Sequence, residues 1–153
     1  MRKCIHRVKY DKKIGLLKML GHFVADFAGQ EQYLFKGVDM ITFVPLHPAK
    51  ARERGFNQSK AIAHSVSERL GIPLIDILEK TRSTRPQSEL SKEERARNLS
   101  GAFRIRRDRS PYRKTVLIVD DVFTTGSTLN ECSRVLRDAG ARAVDALTLT
   151  RGL

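Results

Sequence analysis

The chain predicts an α/β fold with a largely parallel central sheet flanked by helices, and three observations carry that expectation. Val116-Leu117-Ile118-Val119 is an uninterrupted apolar run, as expected of a strand buried on both faces of a parallel sheet. Residues 40–44, 59–70 and 74–78 read in turn as apolar run, helical stripe and apolar run, a strand, helix, strand unit. Another helical stripe and a closing strand follow residue 128, and short strands separated by helices imply this class. A length of 153 residues suits one domain with a proper core, so 1–153 is expected to fold as a single domain.

The chain opens with MRKCIHRVKYDKK, which lacks the apolar core of a secretory signal, and no apolar run approaches the ~20 residues needed to span a bilayer. A soluble, cytoplasmic protein with no membrane span is the expectation. From Ile14 to Gln30, Ile14, Leu17, Leu20, Val24 and Phe27 recur at helical spacing, which predicts a helix covering part of the sheet. Met19 and Phe23 are expected in its core or edge packing. Residues 40–44 form a short strand ending at Pro45, followed by a loop over 46–55. Lys50, Arg52 and Arg54 come just past that strand end, where they either receive a pyrophosphate or form a solvated basic loop. His47 reads as a loop-packing or hydrogen-bonding residue. Ala61, Ile62, Val66 and Leu70 then give a helix face stopped at Gly71, and the strand 74–78 follows.

Residues 80–114 hold twelve basic and four acidic side chains, so this segment supplies 8 of the net +12 charge. Its first part, Thr81 to Gln87, is polar and turn-like. Ser91-Lys92-Glu93-Glu94 matches a capping box opening a short helix toward Asn98, and Gly101 ends it. Phe103 and Ile105 alternate with Arg104 and Arg106 as in a strand with one dry face. A basic excursion of this length between sheet strands is expected to act as a flexible lid over 82–103 or as a partner surface.

The apolar run 116–119 leads into Asp120 and Asp121, then into Thr124-Thr125-Gly126-Ser127-Thr128. Beyond that turn Leu129, Cys132, Val135, Leu136 and Ala139 form a helical stripe, with Gly140 placed as its C-cap. Small residues ahead of a helix leave its first N–H groups open beside the positive end of the dipole, and such a turn holds a phosphate. Two carboxylates would repel a phosphate unless they face something else. Sugar hydroxyls donate to carboxylates, so the combination fits a ribose 5-phosphate. No Gly-x-Gly-x-x-Gly follows a strand and no Gly-x-x-x-x-Gly-Lys occurs, which sets aside dinucleotide and P-loop readings. Residues 144–150 read as the closing strand.

Composition narrows the partners. An excess of 29 Lys+Arg over 17 Asp+Glu, with a pI near 10.2, points to polyanions: a pyrophosphate-bearing substrate, nucleic acid, or both. Cys4 and Cys132 suggest neither a disulfide framework nor a metal site, and Cys132 reads as a buried small hydrophobe.

The acidic pair and its Thr/Gly-rich turn resemble the phosphoribosyl pyrophosphate (PRPP) motif of type I phosphoribosyltransferases. That resemblance implies that Asp120 and Asp121 take the ribose hydroxyls, while Thr124, Thr125, Gly126, Ser127 and Thr128 take the 5-phosphate. Two further stretches resemble the ComF family of competence-associated phosphoribosyltransferase-like proteins. One is Arg54-Gly55-Phe56-Asn57-Gln58; the other is Arg82, Gln87, Leu90, Arg95, Asn98 and Gly101-Ala102-Phe103, with Lys9-Tyr10 matching upstream. Many members carry a Cys-rich zinc-binding segment ahead of this domain, and here only Cys4 stands there, so no N-terminal zinc segment is expected.

The ComF resemblance implies a type I phosphoribosyltransferase-like fold that binds PRPP or a phosphorylated ribose. It also implies displacement of pyrophosphate at the anomeric carbon. Asp120, Asp121 and Arg82 would be the catalytic group, and Lys50, Arg52 and Arg54 would receive the leaving group. Mg2+ would bridge the substrate's own oxygens with few protein ligands, and no metal-ligating residue is singled out. A link to DNA uptake and transformation follows from the same resemblance, with single-stranded DNA and competence proteins as partners and a homodimer left open. The rival readings are a single-stranded-DNA-binding module and a PRPP or nucleotide sensor that transfers nothing.

Overall fold

The computed structural model describes residues 14–84 and 92–151. Cys4, Lys9, Tyr10, Gln87, Leu90 and Ser91 lie outside the described residues, as do the side chains of Ile14, Leu17 and Arg95. The elements run α1 (Ile14–Gln30), a 3-10 turn (Gln32–Phe35), β1 (Met40–Phe43), α2 (Pro48–Arg54), α3 (Gln58–Leu70), β2 (Leu78–Lys80), α4 (Lys92–Leu99), β3 (Phe103–Ile105), β4 (Thr115–Phe123), α5 (Ser127–Asp138) and β5 (Ala143–Arg151).

The expected parallel sheet is present, with β4 at its centre between β1 and β5. Alternation along β4 sends its apolar residues to opposite faces, and both faces are covered. Leu117 and Val119 pack with Ile41 and Phe43 against Leu20, Val24 and Ala28 of α1 and Ile62, Ala63 and Val66 of α3. Val116 and Ile118 pack with Met40 and Val44 against Leu129, Cys132, Val135 and Leu136 of α5 and against Leu78 and Phe103 of the β2–β3 pair. Each aliphatic side chain so enclosed contributes about 1.5–3 kcal/mol relative to exposure. Cys132 is the expected buried hydrophobe, and burial pushes its thiol well above its ordinary pKa, so it stays protonated.

Three expectations are corrected. Residues 74–78 do not form a second parallel strand: Leu74 makes a single parallel bridge to Ile41, and the ladder is β2 pairing antiparallel with β3. Pro73 has no N–H to offer, and Arg106 holds Asp76 at 3.2 Å, drawing the chain out of the main sheet and toward β3. The loop 46–55 contains the helix α2, with Pro48 in its first turn, His47 Nδ1 accepting from the Ala49 N–H at 3.3 Å, and Gly55 closing it at φ 78°. No residue of α2 is buried, so it left no apolar periodicity to read. Met19 and Phe23 do not pack into the core: each is 60% exposed on the outer side of α1.

Residues 82–103 are tied down at their carboxyl end. Leu99, Ala102 and Phe103 are buried, and the Gly101 N–H donates to Glu131 Oε1 on α5 at 2.8 Å. Hydrogen bonding from Arg134 holds the Glu131 carboxyl below its ordinary pKa. Among the described residues no helix is long and apolar enough to cross a membrane.

Candidate functional site

In a parallel sheet the loops at the carboxyl ends of the strands share one edge, and here that edge gathers the predicted residues. Phe43 pairs with Val119, and the Val44 N–H donates to Val119 O at 3.0 Å, so the chain leaves β1 beside Asp120. The segment that follows, α2 and the start of α3, is thereby delivered next to the acidic pair, which lies within β4 and not at its end as the sequence suggested. Asn57 fastens it: its Nδ2 donates to Val44 O at 3.0 Å while its Oδ1 caps the Lys60 N–H of α3 at 3.3 Å.

Asp120 and Asp121 are both buried, each 9% exposed. Asp120 Oδ1 accepts two hydrogen bonds, from Ser59 Oγ at 2.8 Å and from the Asp121 N–H at 2.9 Å. Buried carboxylate oxygens need such donors, and Ser59 supplies one of them from the first turn of α3. Beyond β4, Gly126 adopts φ 78° as N-cap of α5 and supplies no side-chain acceptor, while the Ser127 N–H makes a long contact to Thr125 Oγ1 at 3.5 Å. Thr125 Oγ1 and Ser127 Oγ lie 2.8 Å apart across the turn.

A shallow, open depression lies here, lined by Asp120, Val122, Phe123, Thr124, Gly126, Ser127, Thr128 and Leu129. Asp121 and Thr125 are not among its lining residues. The predicted turn and one of the two carboxylates therefore meet in one place.

The predicted cations divide. On α2, Lys50 and Arg54 are four residues apart and share a side, whereas Arg52 projects the other way. Arg82 does not reach into the depression. Its Nη2 donates to Asn98 O at 2.9 Å and Ser100 O at 2.8 Å, closing the carboxyl end of α4, where a cation suits the helix dipole.

Two residues at this edge were not among those read from the sequence. Ser59 is linked to Asp120 across 61 positions, and no local pattern announces that contact. Lys80 is half-buried at the end of β2, donates to Thr84 Oγ1 at 2.8 Å and lies over the Phe103 ring at 5.4 Å. Burial, then the neighbouring Lys50 charge, pushes its ammonium down to about 8, with Arg82 acting in the same direction. The folded pKa thus lies below the unfolded one, so the unfolded chain binds the extra proton between about 8 and 10.5. The destabilisation is full below pH 8 and is lifted as pH rises toward 10.5. Chemical denaturation across pH 7–10 should show the wild type gaining stability relative to Lys80→Met; parallel curves would refute the burial of a charged Lys80.

Comparison with known proteins bears on the family and the fold. The family model described as the phosphoribosyl transferase domain matches residues 57–152. The chain is 34% identical over 152 residues to competence protein F of Haemophilus influenzae, covering 96% of this chain and 66% of that protein. It is 31% identical over 151 residues to competence protein ComFC of Streptococcus pneumoniae, covering 99% and 63%. Against the DNA utilization protein YhgH of Escherichia coli K12 the identity is 39% over 116 residues, covering 75% and 50%. The chain thus spans half to about two thirds of the length of these relatives.

Among solved structures, the glutamine PRPP amidotransferase of B. subtilis superposes with a TM-score of 0.56 at 25% identity, over 87% of this chain and 26% of that one. The purine phosphoribosyltransferase of Pyrococcus horikoshii superposes with a TM-score of 0.55 at 20% identity, over 87% and 74%.

Proposed function

Because the chain belongs to the phosphoribosyl transferase domain family, we propose that the edge between β4 and α5 binds the ribose 5-phosphate portion of PRPP. One observation carries this reading. A buried, hydrogen-bonded carboxylate lies in the same small depression as a glycine-capped helix N-terminus, so hydroxyl acceptors adjoin phosphate donors.

The chemistry that suits such a site is displacement of pyrophosphate. A nitrogen nucleophile forms a bond to the anomeric carbon as the bond from that carbon to pyrophosphate oxygen breaks, and the leaving group takes the electron pair. Positive charge grows on the ribose and negative charge on pyrophosphate, so fixed charges matter more than proton transfer. Asp120 and Asp121 hold the ribose end, and Lys50 and Arg54, on one side of α2, face the departing anion. Among the described residues no three His, Cys, Asp or Glu side chains converge as a metal cage. Two carboxylates beside a substrate rich in oxygen are nonetheless a donor set that fits Mg2+ shared with that substrate. Mg2+ bound with the substrate would spread the charge of the pyrophosphate.

Calorimetric titration with PRPP and Mg2+, followed by ribose 5-phosphate, tests the reading. Binding of both is expected, with PRPP the tighter; binding of neither would overturn it. Release of pyrophosphate on adding bases or amines would extend the reading from binding to transfer.

A specific observation favours nucleic acid as a second ligand, at the opposite edge of the sheet. Tyr112, just ahead of β4, is 61% exposed and carries the Arg113 guanidinium 5.3 Å over its ring, with exposed Lys114 and Arg142 adjoining. A stacking surface set among cations suits a single strand. Adding a single-stranded oligonucleotide to the same titration series separates the readings, since this binding should weaken steeply with salt and ignore saturating PRPP.

A further inference from the structure

The Ser59 hydroxyl is held more firmly than its place in a helix requires. It belongs to the first turn of α3, and the residue before the helix, Asn57, ties that turn to Val44 O at the end of β1. From there Ser59 Oγ reaches β4 and donates to Asp120 Oδ1 at 2.8 Å, with both residues buried. The same oxygen accepts the Asp121 N–H at 2.9 Å. Two donors on one oxygen fix the plane of the carboxylate, because rotation about its terminal bond would break both contacts. Fixing the plane also fixes the direction in which the group accepts from a ligand.

Next to Ser59, the Gln58 side-chain nitrogen is buried without a hydrogen-bond partner in a residue only 3% exposed. An unmatched buried donor is costly and uncommon, so this turn is built for more than its own stability.

We propose that Ser59 is a positioning residue for sugar recognition: by orienting Asp120 it sets how much the ribose hydroxyls, as distinct from the phosphate, contribute to binding. The inference rests on the reading of this edge as a ribose 5-phosphate site. It divides the work of that site between a phosphate half, α5 and its turn, and a sugar half whose geometry is controlled from α3. A carboxylate free to turn would still carry its charge, but would meet a hydroxyl with its lone pairs misaligned.

The test compares ribose 5-phosphate with inorganic phosphate by calorimetry. In Ser59→Ala, affinity for ribose 5-phosphate should fall about tenfold, the scale of one charge-assisted hydrogen bond, while that for inorganic phosphate stays within about twofold. Ser59→Thr, which keeps the hydroxyl, should restore the wild-type ratio. If Ser59→Ala does not fold, the isosteric pair Ser59→Thr and Ser59→Val carries the same comparison. A wild-type ratio in the hydroxyl-free variants would overturn the proposal. So would an equal loss for both ligands with a lowered Tm, which marks a merely structural bond. If the wild type binds ribose 5-phosphate no better than inorganic phosphate, the reading of the sugar half fails, visibly and before any variant is made, and the role of Ser59 falls with it.

Discussion

Asp120→Asn combined with Asp121→Asn is expected to abolish PRPP binding while leaving the fold intact. The fold should survive because Asn is isosteric with Asp and can still accept at Oδ1 from Ser59 and from the backbone N–H that Asp120 now receives. Binding should not, because an amide offers one acceptor where a carboxylate offers two and loses the charge that strengthens each bond. Hydrogen bonds to charged groups contribute about 1.5–3 kcal/mol each, so losing two predicts a weakening of at least about a hundredfold. Calorimetry with PRPP and Mg2+ measures the loss, and circular dichroism with a thermal melt checks the fold. Unchanged affinity in a folded double variant would place the ribose elsewhere.

Gly126→Val is expected to remove the phosphate half of the site. At φ 78° a β-branched residue is strained whatever the space around it, and a Cβ here would lie 3.1 Å from Phe123 Cε2 and Cζ. The ring would be forced aside, and both it and the new side chain line the depression. Strain of this kind costs about 1–3 kcal/mol, so the variant should melt earlier yet still fold. Affinity for inorganic phosphate and for PRPP should drop together, by about a hundredfold or more, because the first-turn N–H groups of α5 would be covered. Wild-type phosphate affinity in the folded variant would show that the anion does not sit on this turn.

Much of the fold was legible because its signals are local. Ile14–Gln30 is a helix over the predicted span, the apolar run at 116–119 is the doubly buried centre of the sheet, and Gly101 and Gly126 take the left-handed conformations their turns need. The turn between β4 and α5 was legible for the same reason, since strand, turn and helix start are contiguous. Which side of α1 faces the sheet was less so. Apolar residues cover more than half of its circumference, so Met19 and Phe23 could be assigned to packing until α3 and β1 took Leu20, Val24 and Ala28. The helix α2 escaped notice because none of its residues is buried, and periodicity reports only burial.

By itself the sequence determined the long first helix, the buried apolar run of β4 with its acidic pair, and the glycine-capped turn that leads into α5. Each of these depends on residues within a few positions of one another. Tertiary structure alone decided that residues 78–80 leave the main sheet for β3, that Arg82 closes α4 instead of entering the depression, and that Ser59 grips Asp120. Such contacts join residues 16 to 61 positions apart. The free energy that selects them comes from packing two faces of one sheet at once, which no short window of sequence contains.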